Sequence, residues 1–310
     1  MAQLTRHQPI AVGIDGSKEA VRAAEFGWEE ARREGAPLLL VHAYDPYVPM
    51  SPMLPKFGYP LMHARASRLL RGEASHLIER FGPEVELSAK LVQARPKSAL
   101  LRTAENARLV VLGRRHLEGL GRALVGSTAV AVAARAACPV VIVPNSWQPG
   151  DAPRVVVGVD GTEHSGEAVA YAFAQASARG GQLVAVHAWT ADDYYSAEPD
   201  MEGAIAAWHR NADLALAESM AGWQELFPDV TVQRVVDHRR PLETLLEYAH
   251  TADLLVVGTR GRGRPSRYSL GSVTRHLMSE SACPVAVFQH SRVHRDHDVA
   301  LGNDESPVSA

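Results

Sequence analysis

Two cysteines in 310 residues, Cys138 and Cys283, exclude a disulfide framework. No apolar run approaches the ~18 residues of a membrane span, so no membrane-spanning segment is expected. Charge is nearly balanced, 32 basic residues against 35 acidic for a formal net charge of −3. A general basic surface for nucleic acid is thereby excluded. The first ten residues, MAQLTRHQPI, lack the apolar centre of a signal peptide. These absences together lead to the expectation of a cytoplasmic protein. Catalytic signatures are missing as well: there is no CxxC, no HExxH and no nucleophile elbow with serine, histidine and aspartate. That favours binding over catalysis, and enzyme status stays open.

Hydrophobic residues make up 46% of the chain and charged residues 22%, as in ordinary globular proteins. The sequence repeats itself. "PIAVGIDGS" at 9–17 returns as "RVVVGVDGT" at 154–162, and "LLLVHAY" at 38–44 as "LVAVHAW" at 183–189. "LVVLGRR" at 109–115 returns as "LLVVGTR" at 254–260, and "ACPVVIV" at 137–143 as "ACPVAVF" at 282–288. One offset of 145 residues relates Asp15 to Asp160, His42 to His187, Gly113 to Gly258, Gly126 to Gly271 and Cys138 to Cys283. Solenoid units run roughly 20–50 residues, so this is a duplicated domain. The expected division is a domain over 1–146, a linker over 147–152, a second domain over 153–290 and an unstructured polar tail over 291–310.

Within each half, buried β-branched segments alternate with amphipathic ones. In the first half, strands are expected at 9–15, 37–44, 85–93, 108–113 and 139–144. Helices are expected at about 18–34, from about 60 to Phe81, at 96–107 and over "GSTAVAVAARAA". Ser17 can cap the first helix and Pro96 can open the third. This alternation predicts two tandem doubly wound, Rossmann-like α/β domains with five-stranded parallel sheets. Ligands in such sheets bind beyond the carboxyl ends of the strands, at the switch point.

The residues at that edge carry the candidate chemistry. After strand four the second half reads Gly258, two residues, Gly261, nine residues, then Gly271-Ser272. Glycines let a backbone approach phosphate, and a helix start attracts anions. Arg260, Arg262, Arg264 and Arg267 lie in the same loop and suit phosphate oxygens. The loop lacks the Gly-Lys-Ser/Thr ending of a Walker A motif. The first half has Gly113, His116, Gly126 and Ser127, with histidine in place of the second glycine. Its Cβ narrows the approach to phosphates, although an imidazole can also donate to one. Asp15 and Asp160 end strand one, where a carboxylate can accept from a ribose hydroxyl or an adenine amino group. The bland alternative for them is an acidic helix start. His42 and His187 read as satisfied core histidines, and Cys138 and Cys283 as buried small apolar residues.

The loop after strand four, the strand-one "VGVDG" and the strand-two "VHAW" together resemble the universal stress protein family, in its tandem-domain form. The resemblance covers roughly residues 8–144 and 153–289. It implies ATP binding, with Mg²⁺ accompanying the triphosphate, in a regulatory or stress-response protein. By motif it implies that Asp15 and Asp160 contact adenosine and that Ala43 and Ala188 present main chain to adenine. Gly113, Gly126 and Ser127 would hold phosphates in the first half, with Thr128 adding an amide; His116 departs from the family motif there and is a candidate through its imidazole. Gly258, Gly261, Gly271 and Ser272 would do so in the second, with Val273 adding an amide and Arg260 a candidate through its charge. It further implies pairing through strand five, here between the two halves, and leaves a homodimer of whole chains open. Arg95 and Arg240 depart from the family pattern, which carries glycine before the third helix. Two other functions stay open on the same fold: a slow ATPase or nucleotidyl-transfer enzyme, and a partner-binding module with vestigial sites.

Overall fold

A computed structural model describes residues 8–45, 58–115, 125–148, 153–161, 165–190, 201–259 and 270–289. The first half runs β1 (Ile10–Gly13), α1 (Lys18–Glu34), β2 (Leu38–Tyr44), α2 (Gly58–Phe81), β3 (Leu87–Gln93), α3 (Pro96–Ala104), β4 (Leu109–Gly113), α4 (Ser127–Arg135) and β5 (Val140–Val143). The second runs β6 (Arg154–Gly158), α5 (Gly166–Arg179), β7 (Gln182–Ala188), α6 (Met201–Leu226), β8 (Thr231–Asp237), α7 (Pro241–Ala249), β9 (Leu254–Gly258), α8 (Ser272–Glu280) and β10 (Val285–Phe288).

Each half is an all-parallel sheet of five strands, in the order 3-2-1-4-5 for the first. The central strands have helices on both faces, which is why they read as unbroken apolar runs. Ile10, Ala11 and Val12 of β1 are fully buried, as are Val155, Val156 and Val157 of β6. β3 and β8 lie at the outer edges, and every position in them is half-buried or exposed.

The two sheets join. β5 and β10 pair antiparallel, making one ten-stranded sheet in the order β3-β2-β1-β4-β5-β10-β9-β6-β7-β8. Each half thereby covers the strand edge that the other leaves open.

Helix ends follow their sequence signals. Ser17 caps α1, its hydroxyl accepting from the Ala20 amide. Gly35 and Gly180 close α1 and α5 at φ 58° and 62°, in the left-handed region that glycine enters at little cost. One boundary moves. Trp147, expected in the linker, is buried and packs edge-on against Phe26 of α1 at 5.2 Å between ring centroids. The aromatic ring is drawn into the first half's core because its apolar surface is better placed there than in water.

Candidate functional site

The order 3-2-1-4-5 puts the switch point between β1 and β4. In the first half a cavity opens there. The turn after β1 contributes Gly13, Ile14, Asp15 and Ser17, and β2 contributes Val41 and Ala43. Pro96 and Leu100 of α3, Leu112 and Gly113 of β4, Arg115, and Gly126 to Ala129 complete the wall.

Val41, Ala43, Pro96 and Leu100 give the cavity an apolar lining. The start of α4 lines it too, and its N-cap Gly126 makes no side-chain capping bond. The helix start therefore presents amides and a partial positive charge. Arg115 adds a full one. Its Cδ lies 3.6 Å from where a Cβ on Gly126 would stand, and its Nη2 lies 3.4 Å from Asp15 Oδ2. The arginine thus spans the cavity mouth from the phosphate-loop side to the β1 side.

Asp15 is held by its own turn. The Ser17 amide and hydroxyl both donate to Asp15 Oδ1. Partial burial works against its charge, but the two Ser17 hydrogen bonds and Arg115 outweigh that, and the carboxyl titrates below its ordinary value. Gly16 makes the turn possible at φ 84°, and Gly161 repeats it at φ 75°. Behind the turn, His42 Nδ1 lies 2.7 Å from the Ile14 carbonyl, and His187 Nδ1 lies 2.7 Å from that of Val159. A carbonyl only accepts, so Nδ1 carries the proton in both rings. Each histidine pins the residue just before an aspartate.

The second half holds its aspartate differently. Ser165, where the first half has Ala20, donates to Asp160 Oδ1 at 2.7 Å. The base of its loop is closed by the Gly271 amide donating to the Thr259 carbonyl at 2.9 Å, and by Thr274 Oγ1 donating to the Gly258 carbonyl at 2.8 Å.

A model of the universal stress protein family matches residues 7–144 and again 152–289. The chain belongs to that family. A universal stress protein of Mycobacterium tuberculosis (strain H37Rv) is 36% identical over 302 residues, covering 94% of this chain and 100% of the relative. One from Mycolicibacterium smegmatis is 35% identical over 302 residues, covering 93% and 99%. Among solved structures, a universal stress protein from Archaeoglobus fulgidus aligns with a TM-score of 0.65 at 19% identity, covering 91% of this chain and 98% of that one. The last likeness concerns the fold alone.

In this universal stress protein, six of the candidate residues line one cavity: Asp15, Ala43, Gly113, Gly126, Ser127 and Thr128. Asp160, Ala188, Gly258, Gly271, Ser272 and Val273 occupy the matching strand ends and helix start of the second half. His116, Arg260 and Gly261 fall outside the described residues, as do Arg262, Arg264, Arg267 and the tail from 291. The reason for one glycine changes. A Cβ on Gly113 would stand 2.3 Å from the backbone oxygen of Glu19, so its bareness is required by α1 crossing the end of β4. Among the described residues a Cβ on Gly126 would meet only Arg115, at ordinary contact distance.

Sequence reasoning missed Arg115, Ser17 and the positioning role of the histidines. Arg115 was within reach: the 145-residue offset maps it onto Arg260. Among the described residues no group of three or more histidine, cysteine or acidic side chains could hold a metal, and no helix is long and apolar enough to cross a membrane.

Proposed function

We propose that this universal stress protein binds ATP at its switch-point crevices and acts through the bound state as a regulatory protein, not through rapid turnover. The observation carrying the reading is the first-half cavity, whose lining joins apolar residues with an uncapped helix start and Arg115. A flat base suits the wall at Ala43 and Leu100. The ribose hydroxyls or the base amino group suit Asp15, an ionised acceptor. The phosphates suit the amides of Ser127 and Thr128, the Ser127 hydroxyl and Arg115. Among the described lining residues Asp15 is the one carboxylate, so Mg²⁺ would be held chiefly by the triphosphate and water. The second half is proposed to bind nucleotide with Asp160, Gly258, Gly271 and Ser272 in the corresponding roles.

The test is direct. Freshly purified protein is denatured, and any released nucleotide is identified by mass spectrometry and counted per chain. Near two ATP per chain is expected if both halves bind. Near one restricts the function to one half. None, together with no heat on titrating ATP, removes the proposal and leaves a partner-binding module.

A further inference from the structure

We infer that the face where α1 meets α5 is a keyed pairing surface: the first half accepts a partner presenting the second half's arginine and amide, and rejects a copy of itself.

The backbone of the junction is symmetric. Val285 lies opposite Ile142, Ala286 opposite Val141 and Val287 opposite Val140. On the 145-residue offset, positions 285, 286 and 287 are equivalent to 140, 141 and 142. The pairing reads the same from either side, with a pseudo-two-fold axis through Val141 and Ala286. An isologous homodimer has this geometry, in which identical faces must be complementary to themselves.

The side chains break the symmetry. Arg179 Nη2 donates to Glu30 Oε1 at 2.6 Å, and Gln175 Nε2 donates to Glu34 Oε1 at 2.8 Å. Positions 175 and 179 are the repeat equivalents of 30 and 34. The Glu30 and Arg179 side chains are only 1% and 3% exposed. Two first halves meeting in this way would set Glu30 of each against Glu34 of the other. Carboxylates only accept, so every such contact would lack a donor. Arg33 and Arg108 already bond to Glu30 and Glu34, both at 2.7 Å, within the first half. They do not supply donors from across the junction. Two second halves would set Arg179 of each against Gln175 of the other, leaving each buried guanidinium without a carboxylate. The mixed junction alone matches charge to charge.

Other cross-junction bonds carry no such sign. Arg114 Nη1 donates to the Ser281 carbonyl at 2.6 Å, and Gln289 Nε2 to that of Ala133 at 2.8 Å. Their acceptors are backbone atoms, and although the donors also belong to one half each (positions 259 and 144 hold Thr and Pro), they set no like charges together. Charge discrimination therefore rests on Glu30, Glu34, Gln175 and Arg179.

The experiment is amide hydrogen exchange on the full chain, read at the amides of β5 and β10 that face each other. Arg179→Glu is expected to speed exchange there by roughly 100-fold or more, while β1 and β6 stay protected. Adding Glu30→Gln and Glu34→Gln to that variant is expected to restore protection, because the carboxamides supply the missing donors. Unchanged protection in Arg179→Glu overturns the inference. So does a loss that the added glutamines fail to reverse, since charge matching is then not its cause. If Arg179→Glu exposes β1 and β6 as well, the triple variant decides: restored protection supports the keyed surface, and its absence refutes it.

Discussion

Arg115 and Asp15 face each other across the cavity mouth with side chains 66% and 47% exposed. An ion pair that open contributes little to folding. On the proposed reading a bound phosphate would compete for the arginine and free the carboxylate for a ligand hydroxyl or amino group. Arg115→Gln is expected to weaken ATP binding to the first half about 10- to 100-fold, the range of a lost charge-assisted bond. Adenosine affinity and melting temperature should hold. Calorimetric titration with both ligands checks this, and an equal loss for adenosine would remove the phosphate role. The cysteines make a second case at this scale. Burial pushes the Cys138 thiol up to about 12 and the Cys283 thiol up to about 11. At pH 8 the thiolate fractions are on the order of 10⁻⁴ and 10⁻³. Iodoacetamide at that pH is expected to leave the native chain unmodified and to add two groups after denaturation, as read by intact mass. Rapid labelling of the native protein would show that these thiols are reachable.

Two glycines of one motif do different work at the scale of elements. Gly113 stands where α1 crosses the end of β4, with the Glu19 carbonyl 2.3 Å from any added Cβ. Backbone cannot give way as a side-chain tip can. Gly113→Ala should therefore push α1 off β4 and cost about 1–3 kcal/mol, seen as a lower melting temperature. Gly126 has φ −59°, which alanine adopts freely, and its Cβ would meet only Arg115 Cδ at 3.6 Å. Gly126→Ala should leave stability within about 0.5 kcal/mol and weaken nucleotide binding. Thermal melts with and without ATP separate the two, and the opposite pattern would exchange their roles. The motif was legible as Gly-x-x-x with a second Gly-Ser, but which glycine serves packing was not. That depends on how closely a helix 90 residues earlier approaches, and spacing does not record distance through space.

In the whole molecule, the repeat offset, the alternation of elements and the glycines after strand four were all visible along the chain. They follow from local chemistry: β-branched runs make buried strands, Ser17 and Pro96 start helices, and Gly16 and Gly35 permit left-handed turns. Family membership and the two α/β halves follow from those patterns, and the comparisons agree on both. Trp147 shows where local reading stops. Its neighbours are polar and carry proline and glycine, so the segment reads as linker, yet the indole packs on Phe26. His187 is buried as its reading as a core residue requires, whereas His42 is half-buried, and their hold on the Val159 and Ile14 carbonyls emerges only when β6 lies beside β7 and β1 beside β2. The sequence by itself determined the elements, their order and which strand ends face the crevice, because those depend on residues close in the chain. Tertiary structure alone decided that Arg115 reaches Asp15 and that Glu30 meets Arg179, because each contact needs parts 100 or more residues apart to be brought together by the sheet.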